Sequence, residues 1–145
     1  MRPYDYIIAM RRTCSGDVPA IAARASSPNG INLMHAAMGL ATESGEVVDA
    51  IKKHLFYGKP IDRVNLIEEA GDVLWYLALL LDTIGVPFEE AMDANIAKLK
   101  KRFPDKFGGF EALNRDLTAE RQVLEQGAAA AVEQAHKATE NKCQA

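Results

Sequence analysis

The chain has 145 residues, 48% hydrophobic and 26% charged, with a formal net charge of −3. That length carries one core large enough to fold without staples, and the composition is that of a soluble globular protein rather than a disordered or membrane-spanning one. The slight negative charge excludes a general affinity for nucleic acid, because phosphate backbones are held mainly by clustered Lys and Arg; an anionic ligand has to be gripped locally.

Helical periodicity recurs from end to end, and no stretch alternates long enough to make a half-buried strand, so the expected class is all-α, a bundle of four to five helices. The N-terminus MRPYDYIIAM lacks the layout of a signal peptide, and Cys14 and Cys143 stand far apart, which together point to a cytoplasmic setting. A first helix is predicted over about residues 3 to 13, opened by Pro3, whose fixed backbone angle suits a first turn. Residues 14 to 30, with SGDVP and SSPNG, are expected to form one long connection.

The second helix is predicted from about Ile31 to Leu55, with Leu33, Ala37, Leu40, Ser44, Val47, Val48, Ile51 and Leu55 forming one stripe. FYGKP ends it, and Asp62 is placed to cap a third helix over roughly 63 to 84. That third helix is apolar on nearly every side, so it has to be covered all round, at the centre of a bundle and in a subunit interface. Its run VLWYLALLLDTIGV is broken by Asp82 and is too short for a bilayer span, so no membrane partner is expected. GVP leads into a fourth helix, about Pro87 to Phe103, stopped by Pro104. A fifth is predicted over roughly 111 to 126, and from Gly127 the chain becomes an Ala-, Gln- and Glu-rich tail.

Two carboxylate pairs interrupt this pattern. On a helical wheel the stripe of the second helix centres near Leu40 and Ile51, while Glu43 lies about 60° and Glu46 about 120° off it, on one flank. Glu69 and Asp72 repeat the three-residue spacing on the third helix, where few other side chains want water. Either pair alone reads as a solvated edge, and Glu68 rivals Glu69 as the partner of Asp72, being four residues from it. Two helices joined by a short loop usually pack antiparallel, which lets the pairs face each other. Two unit charges about 4 Å apart repel by roughly 4 kcal/mol at an effective dielectric near 20, so four converging carboxylates need cations or raised pKa values. An all-oxygen set suits Mg²⁺, with Mn²⁺ as a possible substitute. The di-iron alternative needs Glu-x-x-His, and none of His35, His54 or His136 has a Glu three residues before it.

A basic counterpart follows. In ANIAKLKKRFP, Asn95 falls within about 20° of the centre of the fourth helix's apolar stripe, where an amide is costly unless bonded. Lys98 and Arg102 on the adjacent flank suit phosphate oxygens, or are simply cations favoured at a helix C-terminus. Lys52, Lys53, Lys59 and Arg63 add positive charge around the loop after the second helix, either a solvated face or, at Lys53, a candidate contact to a bound anion.

With ESGE at 43–46, EAGD at 69–72 and NIAKLKKRFP at 95–104, the chain resembles the all-α nucleoside triphosphate pyrophosphohydrolases of the MazG-like group over about residues 31–107. The resemblance implies a helical bundle forming a homodimer or homotetramer. It also implies Mg²⁺-dependent cleavage of (deoxy)nucleoside triphosphates between the α and β phosphates, in nucleotide-pool housecleaning. Carried over, Glu43, Glu46, Glu69 and Asp72 bind metal, with Glu46 acting on the attacking water, and Asn95, Lys98 and Arg102 contact phosphate or sugar. The domain is expected over 1–117, with a helical or disordered tail over 118–145. Alternatives are a dUTPase-like or phosphoribosyl-ATP-hydrolysing enzyme, or a catalytically silent helical binding or regulatory oligomer.

Overall fold

A computed structural model describes residues 1–129 of the chain. Every regular element among them is a helix, as expected for the all-α class. The chain divides into two compact units, Met1–Ile84 and a second from Gly85 onward.

The first unit contains α1 (Pro3–Arg11), α2 (Val18–Ala25), α3 (Pro28–Tyr57) and α4 (Arg63–Thr83). α2 corrects the reading of residues 14–30 as one connection. Its backbone begins at Asp17, whose carboxylate accepts the Ala20 N–H at 3.2 Å, with Pro19 in the first turn. Eight residues give too short a periodic window to separate such a helix from a loop, and the flanking Gly, Pro and Ser dominate the pattern. The third helix in order, α3, starts earlier than expected, because Ser27 caps it by accepting the Gly30 N–H at 3.0 Å and Pro28 sits in its first turn. It ends at Gly58, whose φ of 66° is the left-handed conformation that glycine adopts without a Cβ clash. His54 Nδ1 lies 2.8 Å from the Lys59 carbonyl oxygen and fastens the same turn. Asp62 caps α4 as predicted, accepting the Val64 and Asn65 N–H groups at 3.0 and 3.1 Å.

α3 and α4 run antiparallel: His35 meets Trp75 and Tyr76, Gly39 meets Tyr76, and Glu43 meets Glu69 and Asp72. Ala36 and Gly39 of α3 and Leu81 of α4 are buried. The expectation that α4 is covered all round is not met within the single chain. Val64, Ile67 and Leu74 stay exposed, Ile67 at 73%. Among the described residues no single helix is long and apolar enough to cross a membrane.

The second unit contains α5 (Phe88–Arg102), α6 (Gly109–Leu113) and a helical run over 117–129. The single fifth helix expected over 111–126 is therefore broken. Asn114 Nδ2 donates to the Phe110 carbonyl at 2.9 Å, and Asp116 opens the next helix by accepting the Ala119 N–H at 2.9 Å. Asn and Asp offer the backbone local partners that compete with continued helix. The expected tail begins within this run, and its remainder, 130–145, lies outside the described residues.

Candidate active site

Glu43 is on α3; Glu69 and Asp72 are on α4. One ligand oxygen from each of the three lies within 4.8 Å of the others. The helices set this up by register, since Gly39 and Tyr76 meet one turn from Glu43 and Asp72 respectively. A Cβ on Gly39 would stand under 3.0 Å from three ring carbons of Tyr76, so only glycine lets that ring lie against the α3 backbone here.

Glu69 is the deepest member, with 5% of its surface exposed. Asn65, one turn before it, donates from Nδ2 to its Oε1 at 2.6 Å and fixes the carboxylate's orientation. Burial pushes the Glu69 carboxyl above its ordinary range; the Asn65 hydrogen bond opposes this, while the charges of Glu46, Glu43 and Glu68 push it further up. Thr42 Oγ1 lies 2.9 Å from the Gly39 carbonyl oxygen and 3.1 Å from Glu43 Oε1, poised to donate to either.

Glu46 is exposed and outside the group of three, although its charge still acts on Glu69. Glu68, the rival partner of Asp72, is also exposed and outside the group. Lys53 is half-exposed and paired with Asp49 at 2.6 Å, alongside Lys52, which binds the same carboxylate. His35 faces aromatic rings rather than a carboxylate.

In the second unit Asn95 is exposed and Lys98 partly buried on α5. Arg102 is already engaged: its Nε and Nη2 donate to Glu120 at 2.8 and 2.6 Å, and Arg115 adds Nη2 to the same carboxylate at 2.8 Å. Glu120 is 4% exposed, and these two guanidinium groups, Arg102 foremost, pull its carboxyl down to about 2. Asn65, Thr42 and Glu120 were not singled out from the sequence. The first two had a readable signal, a donor one turn or one residue from a site carboxylate. Glu120 had none, because its partners lie 5 and 18 residues earlier, outside the three- and four-residue spacing of helix neighbours.

The donor set fits a hard divalent cation. It is all oxygen, three carboxylates can reach one point, and the deepest of them is held against a raised pKa that a cation would lower. Fold and site thus define an all-α protein with a cluster of three carboxylates, whose donors suit a cation, between two antiparallel helices. Residues 33–107, just over half of the chain, match the MazG nucleotide pyrophosphohydrolase domain, and the chain belongs to that family. It is 34% identical over 74 residues to Gene 37 protein of Mycobacterium phage L5, a match spanning 48% of this chain and 65% of that one. Over 73 residues it is 36% identical to the uncharacterized protein YvdC of Bacillus subtilis (strain 168), spanning 44% of this chain and 69% of that one. No solved structure matches it significantly.

Proposed function

We propose that this protein is a Mg²⁺-dependent pyrophosphohydrolase of (deoxy)nucleoside triphosphates, cleaving between the α and β phosphates to give the monophosphate and pyrophosphate. The observation that carries the reading is the convergence of Glu43, Glu69 and Asp72 inside the segment that matches the family. These three would hold the cation, Mg²⁺ or Mn²⁺ in its place, which when bound neutralises phosphate charge and polarises the phosphoryl group. Asn65 keeps Glu69 turned toward that point. Glu46, exposed on the same flank, is free to take the proton of the attacking water. Asn95 and Lys98 on α5 are carried over from the family resemblance alone as donors to phosphate or sugar. Arg102 serves there only if it leaves Glu120, so its first role is to anchor the run over 117–129 to the end of α5.

Val64, Ile67 and Leu74 leave an apolar strip along α4 that a second copy would cover, which supports a homodimer or homotetramer. Lys53, tied to Asp49, would reach substrate by exchanging that exposed pair. A cytoplasmic, nucleotide-pool housecleaning role goes with this reading.

The test is product analysis on a panel of canonical and modified nucleoside triphosphates, dUTP and phosphoribosyl-ATP, with Mg²⁺ and with excess chelator. Metal-dependent pyrophosphate and monophosphate in equal amounts, lost in Glu69→Ala, is the expected result. Single phosphate as product, or no turnover of any substrate by the folded protein, would remove the reading.

A further inference from the structure

Glu120 lies in the helical run over 117–129, and its carboxylate receives two arginines at once. Arg102 donates from Nε to Oε1 at 2.8 Å and from Nη2 to Oε2 at 2.6 Å. Arg115 donates from Nη2 to Oε2 at 2.8 Å and from Nε to Oε1 at 3.4 Å. Two planar forks thus close on one buried carboxylate, whose single negative charge balances only half of theirs. The Arg102 guanidinium is steadied from another side, its central carbon 5.7 Å from the centroid of the Phe103 ring. A cavity of about 150 Å³ opens beside the pair, with Lys101 and Asn114 as further donors and with Glu111 and Asp116 on its wall. Asp116 is itself engaged, accepting the Ala119 N–H.

Converging guanidinium forks are the geometry that takes phosphate oxygens, and a carboxylate is the side-chain anion that fills the same donors. Site and occupant come from different parts of the chain. Arg102 lies inside the segment that matches the family, residues 33–107, whereas Arg115 and Glu120 lie beyond it. We propose that Arg102 and Arg115 form an oxyanion site for phosphate groups of the substrate, held shut by Glu120, so that the run over 117–129 is an autoinhibitory latch. This rests on the pyrophosphohydrolase reading and deepens it by naming what controls access to Arg102. Opening changes no covalent bond: the carboxylate withdraws, and a phosphate group accepts from the donors it leaves.

The probe is inorganic tripolyphosphate, titrated calorimetrically into the full chain in excess chelator. Without a cation the carboxylates of α3 and α4 repel a polyanion, so this binding reports on the arginines. The minor form of a two-state element is typically populated at about 0.1–10%, which weakens apparent affinity by at least about tenfold. Glu120→Gln removes the competing charge and should tighten tripolyphosphate binding by at least about tenfold. Adding Arg102→Ala should abolish the gain. With Mg²⁺, Glu120→Gln should lower KM for a nucleoside triphosphate and leave kcat within about twofold. A purely structural ion pair gives the opposite combination: lower thermal stability, as for any broken buried pair, with tripolyphosphate binding unchanged or weaker. That result, or a gain that survives Arg102→Ala, would overturn the latch and leave the pyrophosphohydrolase reading standing. If Glu120→Gln does not fold, Glu120→Asp, which keeps the charge but shortens its reach, takes its place; a smaller gain is expected, and no gain overturns the latch. Tighter tripolyphosphate binding in a protein that turns over no nucleoside triphosphate would support the latch and remove the pyrophosphohydrolase reading.

Discussion

Gly39→Ala separates two opposing effects that local propensity and packing predict with different signs. In an exposed helix interior, replacing Gly by Ala stabilises by about 0.5–1 kcal/mol through lost unfolded-state freedom and better propensity. At Gly39 the new methyl would stand under 3.0 Å from Cε1, Cδ1 and Cζ of Tyr76, ring atoms that cannot swing away without leaving the seam. Overpacking of this kind costs about 1–3 kcal/mol, so the clash wins and the net effect is a loss of about 1–2 kcal/mol. For a chain of this length that lowers the midpoint of thermal unfolding by about 3–6 °C. Gly45→Ala is the control, because nothing lies within 4 Å of its Cβ; there only the propensity gain operates, and the midpoint should rise by about 2–3 °C. Thermal and urea unfolding of the metal-free protein, followed by circular dichroism, measures both. Combining Gly39→Ala with Tyr76→Leu should recover at least about 1 kcal/mol relative to additivity, as expected for residues in contact. If Gly39→Ala raised the midpoint as Gly45→Ala does, the close approach of α3 and α4 that brings Glu43 to Glu69 and Asp72 would be refuted.

Divalent cation should stabilise the folded protein by about 2.7 kcal/mol at 100 times its dissociation constant; a thermal-shift series with Mg²⁺ or Mn²⁺ checks this, and Glu43→Ala or Asp72→Ala should abolish the shift. Glu69 has a raised folded-state pKa, so its contribution favours folding at low pH and turns unfavourable as pH climbs through that value. Glu69→Gln should consequently raise the metal-free midpoint at neutral pH, and the gain should fade below the ordinary carboxyl pKa; a loss of stability at neutral pH would contradict the crowding of carboxylates. Glu120 is the opposite case, with its pKa held down to about 2 by Arg102 and Arg115. Its stabilisation is present above the ordinary carboxyl pKa and disappears as pH falls toward about 2. Acid titration of Glu120→Gln against wild type should thus show a lower midpoint at neutral pH and convergence in acid.

Helix positions were largely legible because caps and stops are local. Asp62 caps α4 with its own neighbours' N–H groups, and the end of α3 follows from Gly58. The same locality explains the two boundaries that were missed. The Asp17 and Asp116 caps sit in short segments rich in turn formers, where the competing turn signal is as strong as the helical one. The site was half legible. Three-residue spacing puts Glu43 beside Glu46 and Glu69 beside Asp72 on any helix, but only the packed pair shows that Glu69 is buried while Glu46 and Glu68 face water.

By itself, then, the sequence determined the all-α class, the helices and the carboxylate pairs, since periodicity, caps and i,i+3 neighbours act within a turn or two of chain. Tertiary structure alone decided which oxygens share one point, that Tyr76 lies against Gly39, that Trp75 stays open beside His35, and that Glu120 captures Arg102. Those contacts join residues from 18 to 40 positions apart. Their geometry depends on helix separation and side-chain rotamer, quantities that no local spacing encodes.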